Sequence, residues 1–226
     1  MINILAALAE VKNKVVSKQE KELNDLLRND KEASNVVMYL NSKSNLLKAY
    51  LMAKEAHSGQ YRWKGRGNVP YIFHIIDVVR IMMKAGIKDE HKILVAILHD
   101  TVEDGALSLK QIEGAFNKEV ADHVKKMTLA DDDGAKQNYY NKKIVKDSHH
   151  PVRDIKLADR LSKLKFIHDL RGGADKKFSN KLMRKYERLK QETERDYGHW
   201  YDKGTNSALQ EMYEDYMNRT HSESPF

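Results

Sequence analysis

The chain has 226 residues, enough for one sizeable domain whose core needs no covalent staples. It contains no cysteine, which excludes disulfides, thiolate metal sites and a cysteine nucleophile, and which fits a reducing compartment such as the cytoplasm. The formal net charge of +7 suits an anionic partner: a nucleotide, nucleic acid or an acidic membrane surface.

Only three prolines and eleven glycines interrupt the chain, and apolar residues recur at helical spacing through most of it. An all-α protein is therefore expected, with no convincing strand. Met1 to Ala9 is apolar, but Glu10 and Lys12 break the run and no basic segment precedes it, so an amphipathic helix over about 2–27 is expected rather than a secretion signal. Further helices are predicted at about 32–42, 44–59, 74–85, 89–101, 108–115, 117–128, 134–147, 151–169, 174–198 and 204–219. No stretch approaches the roughly 20 apolar residues of a membrane span. Residues 1–43, rich in Lys, Glu, Asn and Leu, are read as an N-terminal helical extension that could pack on the core, dimerise or bind a partner. Residues 44–226 are read as the main domain, with basic C-terminal helices.

Punctuation supports these elements. Gly65 to Pro70 reads as a loop, Gly86 as the residue just past a helix end, and Ser108 with Gln111 as a capping box. Asp131-Asp132-Asp133-Gly134 reads as a connection, since a Ca²⁺ loop would need a longer ligand series ending in Glu. Between Lys156 and Lys190 twelve Lys/Arg face four acids, a local net of +8 that exceeds the charge of the whole chain.

The chemistry concentrates in His99-Asp100-Thr101-Val102-Glu103-Asp104. Adjacent His and Asp offer a divalent metal one nitrogen and one oxygen from almost the same point. At about 100° per residue on a continuous helix, His99, Asp100, Glu103 and Asp104 would fall within roughly a 140° arc. Two side chains hold an ion poorly, so more donors are needed. His74 opens an apolar helix and sits at the edge of the core, while Asp159 lies among Ile155, Leu157, Ala158, Leu161 and Leu164, where an unpaired carboxylate would be costly. The set His74, His99, Asp100 and Asp159 would suit an octahedral ion such as Mn²⁺, with positions left for water and substrate; Fe²⁺ or Zn²⁺ would also be accommodated. Glu103 and Asp104 would then handle protons.

Four blocks carry a family resemblance: Ala56-His57-Ser58-Gly59-Gln60-Tyr61-Arg62, Pro70-Tyr71-Ile72-Phe73-His74, Leu98-His99-Asp100-Thr101-Val102-Glu103-Asp104 and Lys156-Leu157-Ala158-Asp159-Arg160-Leu161. In this order and spacing they resemble the HD-domain phosphohydrolases, specifically the hydrolase domain of the RelA/SpoT family and its stand-alone Mesh1-type members. The resemblance covers about residues 45–170. It implies an HD-domain helical bundle of about ten helices, with 44–226 as the phosphohydrolase domain. It also implies a divalent metal, usually Mn²⁺, on His74, His99, Asp100 and Asp159, with Glu103 and Asp104 catalytic and Arg62 in contact with a nucleotide. The implied reaction removes the 3′-pyrophosphate of ppGpp or pppGpp, giving GDP or GTP and pyrophosphate, in the cytoplasm. Lys64 and Lys163 are expected to join Arg62 at the substrate.

Three departures stand out. Trp63 intervenes before Lys64, Lys163 replaces the Asn that usually contacts the nucleotide, and Ile75 replaces a usual Pro. An ammonium in place of an amide changes what a pocket can bind and favours an additional phosphate. Other readings therefore stand beside the alarmone: an adenosine alarmone, a dNTP or NADPH as substrate, a retired scaffold binding nucleotide or nucleic acid, or an interaction protein working through residues 1–43. A nucleotide substrate is expected in preference to nucleic acid or membrane, and a homo-oligomer is left open.

Overall fold

The computed structural model describes residues 4–62, 69–103, 106–128, 152–171, 176–197 and 206–222. Ten helices occupy these residues: α1 (Ile4–Asn29), α2 (Lys31–Asn41), α3 (Ser44–Ala56), α4 (Ile72–Lys84), α5 (Glu90–Leu98), α6 (Leu109–Ala115), α7 (Lys118–Met127), α8 (Arg153–Arg171), α9 (Lys176–Tyr197) and α10 (Ser207–Ser222). Among the described residues there is no strand, only an isolated bridge between Tyr61 and Pro70. The expected all-α fold is what forms; the helix predicted at 134–147 lies outside the described residues.

Helix starts follow from short polar side chains that satisfy otherwise orphaned backbone N–H groups. Asp30 accepts from Ala33 N, Asp89 from Lys92 N and Asn117 from Val120 N, and the Ser108–Gln111 capping box forms as its sequence predicts. α4 ends where Gly86 adopts φ +75°, with Gly86 N donating to Met83 O and Ile87 N to Met82 O, the paired closing bonds of a Schellman turn. Asn206 caps α10 and reaches back to Ala85 O at 2.8 Å, which fixes α10 to the end of α4.

α4 is the central element. It packs against α2, α5 and α8, while α5 also meets α3 and α7, and α8 meets α9 and α10. Ile75, Ile76, Val78, Val79 and Met82 are completely buried, so truncating one of the two isoleucines to Ala should destabilise by about 2–5 kcal/mol. α4 also buries His74, Asp77 and Arg80, three polar groups that require partners. Arg80 pairs with Asp77 and with Asp30 Oδ2 (2.6 Å), and Asp77 in turn accepts from Arg62 (3.1 Å).

The N-terminal helices join this arrangement. Leu23, Ala33, Val36 and Leu40 are buried in the same core as α4 and α5. Gln19 bridges Gly59 N and Gln60 O, both at 2.7 Å, and Glu22 accepts from Tyr61 OH at 2.9 Å. Of the options open to residues 1–43, packing on the core is the one the structure displays for residues 17–41.

Candidate metal centre

Four side chains from three helical elements converge on one point. His74 enters from the first turn of α4, His99 and Asp100 from the residues just past α5, and Asp159 from α8. One donor atom from each lies within 4.8 Å of all the others. His74 Nε2 stands 3.0 Å from Asp159 Oδ1 and 3.5 Å from Asp100 Oδ2, and His99 Nε2 stands 3.0 Å from Asp100 Oδ2 and 3.7 Å from Asp159 Oδ1. Despite these short distances, both Nε2 atoms and Asp159 Oδ1 are buried without a hydrogen-bond partner. Buried polar atoms in that condition ask for an explanation. Two imidazole nitrogens and two carboxylate oxygens turned toward a shared centre fit a divalent cation, and a cation satisfies all of them together.

The far sides of the ligands are held. His99 Nδ1 lies 2.7 Å from Ala96 O, and a carbonyl can only accept, so Nδ1 carries a proton and Nε2 is the atom whose lone pair would meet a cation. His74 Nδ1 meets Ser162 Oγ at 3.0 Å; Ser162 receives Arg62 at both its carbonyl (2.9 Å) and its hydroxyl (3.2 Å). Tyr71 approaches from beside the centre, donating at 2.6 Å to Asp100 Oδ2, the oxygen that also faces the histidines, and is itself backed by the His57 ring, centroid to centroid 4.6 Å. Lys163 donates to Asp159 Oδ2 at 2.8 Å, leaving Oδ1 for the centre.

The electrostatics follow from this crowding. Burial works against charge on Asp100 and Asp159, yet the histidines and Lys163 hold both carboxyls well below the ordinary range. Burial alone would lower the His99 pKa, but Asp100 and then Asp159 raise it to about 10. Without a cation, the two carboxylates retain a proton on His99 instead.

Beside the cluster opens a cavity of about 230 Å³, lined by Arg62, Tyr71, Lys163, Phe166, Lys185 and Arg188 among others. Burial and then the neighbouring Arg188 and Lys163 depress the Lys185 pKa, so the wall is crowded with positive charge that an anion would relieve. Part of the basic run seen in the sequence thus lines the cavity beside the four-residue cluster.

Not every expectation survives in its original form. The helix predicted over 89–101 ends at Leu98, and His99 to Glu103 form a turn in which Thr101 donates to Leu98 O through both its N–H (3.1 Å) and its hydroxyl (2.7 Å). His99, Asp100 and Glu103 therefore do not share a helix face; the tighter turn is what lets His99 reach Ala96 O. Glu103 is exposed in that turn, while Asp104, Trp63 and Lys64 lie outside the described residues. Arg62, expected at the nucleotide, lines the cavity, but its guanidinium is 5% exposed, bonded to Asp77 and Ser162, and lies 3.9 Å over the Phe166 ring. Sequence reasoning assigned no role to Tyr71 or Ser162. Tyr71 stood inside a quoted block, which was a usable signal; Ser162 offered none.

Comparison with known proteins agrees with this geometry. A family model described as HD domain matches residues 49–193. The bifunctional (p)ppGpp synthase/hydrolase SpoT of Escherichia coli K12 is 31% identical over 153 residues, which are 64% of this chain but only 21% of SpoT, so the chain spans about a fifth of that relative. The guanosine-3′,5′-bis(diphosphate) 3′-pyrophosphohydrolase MESH1 of Danio rerio is 30% identical over 175 residues, 77% of this chain and 93% of that protein. A solved structure of a metazoan ortholog of SpoT superposes with a TM-score of 0.60 at 22% identity, covering 79% of this chain and 96% of the other, a likeness of fold. The chain belongs to the HD-domain family, with the SpoT and MESH1 hydrolases among its relatives.

Proposed function

We propose that this chain is a metal-dependent pyrophosphohydrolase that removes the 3′-pyrophosphate of ppGpp or pppGpp in the cytoplasm, giving GDP or GTP and pyrophosphate. The observation that carries this reading is the set of orphaned donors on His74, His99 and Asp159, placed with Asp100 beside a cation-lined cavity. A relative named for this activity, matched over 93% of its length, supplies the substrate class.

His74, His99, Asp100 and Asp159 would hold the ion, which we assign as Mn²⁺ because the mixed nitrogen and oxygen set leaves room for further ligands. When bound, a divalent cation supplies Lewis acidity toward a phosphoryl oxygen and makes water easier to deprotonate. Lys163 keeps the second oxygen of Asp159 engaged, Tyr71 aligns Asp100 through the oxygen that itself faces the centre, and Ser162 fixes the His74 ring. In the reaction the oxygen of water bonds to the phosphorus on O3′, the P–O3′ bond breaks, and O3′ gains a proton. Glu103, in the turn beyond Asp100, takes the proton from the water, and Asp104 is assigned with it to return one to the leaving oxygen. Lys163, with Lys185 and Arg188 behind it, neutralises phosphate charge. Arg62, already committed to Ser162 and Asp77, acts by bracing the His74 support and presenting its face to the cavity; Lys64 is assigned to the substrate with it.

A second reading has its own observation. Lys163 places an ammonium on a ligand carboxylate, at the position where the family's Asn meets the nucleotide, so a differently phosphorylated nucleotide could be preferred. One experiment tests both readings: the protein with Mn²⁺ is incubated with ppGpp, pppGpp, ppApp, dNTPs and NADPH, and pyrophosphate is measured against orthophosphate. Pyrophosphate from ppGpp and pppGpp is the expected result. Turnover confined to another nucleotide would favour the second reading, and no turnover would sink both.

A further inference from the structure

Away from the cavity, α5 and α7 form a second histidine–carboxylate cluster. His91, in the first turn of α5, meets His123 of α7 with Nε2 and Nδ1 2.7 Å apart, the rings nearly perpendicular at 83°. Glu119 lies one helical turn before His123 on the same face of α7, and one donor atom from each of the three lies within 4.8 Å of the other two. The rings are half-buried and Glu119 is exposed, so the cluster opens to solvent. His91 precedes His99 by eight residues, about 12 Å of helical rise, and the cluster is therefore separate from the metal centre.

Two ring nitrogens at 2.7 Å cannot both carry a proton between them, so at least one lone pair faces the gap. Burial, then the nearby His91 and Lys126, lower the His123 pKa, which favours the neutral form of the ring. The remaining acid on this part of α7, Asp122, is paired with Lys118 at 2.7 Å. We propose that His91, Glu119 and His123 form a binding site for a borderline divalent cation of the zinc class, clipping α5 to α7. Tetrahedral zinc holds imidazole nitrogens at about 2.0–2.1 Å, so the rings need only part by roughly half an ångström to admit it. Two nitrogens and one carboxylate select Zn²⁺, Co²⁺ or Ni²⁺ over Mg²⁺ and Ca²⁺, which prefer all-oxygen sets. A clip at the start of α5 stiffens the helix whose far end presents His99 and Asp100.

The test uses Zn²⁺ and the metal-free full chain. Calorimetric titration of Asp100→Ala, which leaves only three donors at the other centre, should show a Zn²⁺-binding event carried by the second cluster and a melting temperature raised by several degrees; Mg²⁺ should produce neither. Adding His123→Gln to Asp100→Ala should remove that event and its share of the thermal shift, while any Zn²⁺ held by His74, His99 and Asp159 stays. Should that double variant fail to fold, Glu119→Gln in the Asp100→Ala background changes only an exposed side chain and should weaken Zn²⁺ at least tenfold. An Asp100→Ala protein that takes no Zn²⁺, or one whose Zn²⁺ affinity is untouched by His123→Gln or Glu119→Gln, would overturn the proposal. None of these readouts depends on which nucleotide the enzyme turns over.

Discussion

Among the described residues two clusters of histidine and carboxylate stand out, alike in donor type and different in depth and support. The cluster around His99 is built from three helical elements, its histidines almost fully buried and its ligands held by Ala96 O, Ser162, Tyr71 and Lys163. The cluster around His91 joins two helices at the surface, and its two rings hydrogen-bond each other. Depth and outer support, more than the identity of the ligands, separate a site prepared for chemistry from one suited to a removable clip.

That contrast can be broken at the first cluster with the largest effect. His99→Ala or Asp100→Ala should lose both bound metal and turnover, by about 10³-fold or more given the several kcal/mol a Lewis acid contributes; metal analysis alongside the nucleotide panel checks it, and equal hydrolysis by variant and parent would remove the cluster from the mechanism. Glu103→Gln should separate the two quantities, keeping metal while turnover falls about 10²–10⁴-fold. Full rate in that variant would take Glu103 out of the reaction.

Outer support comes next. Ser162→Ala and Tyr71→Phe should each weaken metal binding by about 10–100-fold while leaving the four donors in place; calorimetry with Mn²⁺ reads this directly. If neither changes affinity, outer support does not distinguish the clusters. A subtler difference concerns protons. His99, held at about 10, is protonated in the metal-free protein, so Mn²⁺ must displace that proton. Affinity should therefore rise as pH rises toward that value, and titration at pH 7 in buffers of different ionisation enthalpy should show about one proton released. The His123 pKa is lowered where that of His99 is raised, so His123 should release less than His99 when Zn²⁺ binds the surface cluster. Equal proton release from His99 and His123 would erase the distinction. Lys163→Asn, which takes the ammonium off Asp159 Oδ2, should shift the ranking of nucleotides and lower metal affinity no more than Ser162→Ala or Tyr71→Phe does.

The sequence displayed the first cluster and hid the second for a physical reason. His99-Asp100 is contiguous, and Asp159 announces itself as a carboxylate among apolar helix positions, so each can be found by local reasoning. His91 and His123 are 32 residues apart on separate helices, and no periodicity relates them. The same limit explains Ser162 and Tyr71, which act through other side chains and leave no pattern of their own. Helix ends were readable where a cap residue existed, as at Ser108, Asn117 and Gly86. The end of α5 had no glycine or proline to mark it; it is set by Thr101 closing on Leu98, a contact that becomes visible only with the backbone in place.

The chain of charges that runs from buried Arg62, Asp77 and Arg80 out to half-buried Asp30 has a practical meaning for anyone shortening this protein. Asp30 serves at once as the cap of α2 and as counter-ion to Arg80, which shares Asp77 with the arginine that supports Ser162 and hence His74. An expression boundary drawn after residue 43 would remove Asp30 along with the side chains of Ala33, Val36 and Leu40, stripping Arg80 of a counter-ion and the core of three buried side chains. A truncated protein that is inactive would then report a collapsed scaffold, not a missing partner. The shortest fragment worth expressing starts upstream of Gln19, and questions about what the first helices bind are better asked with surface substitutions than with scissors.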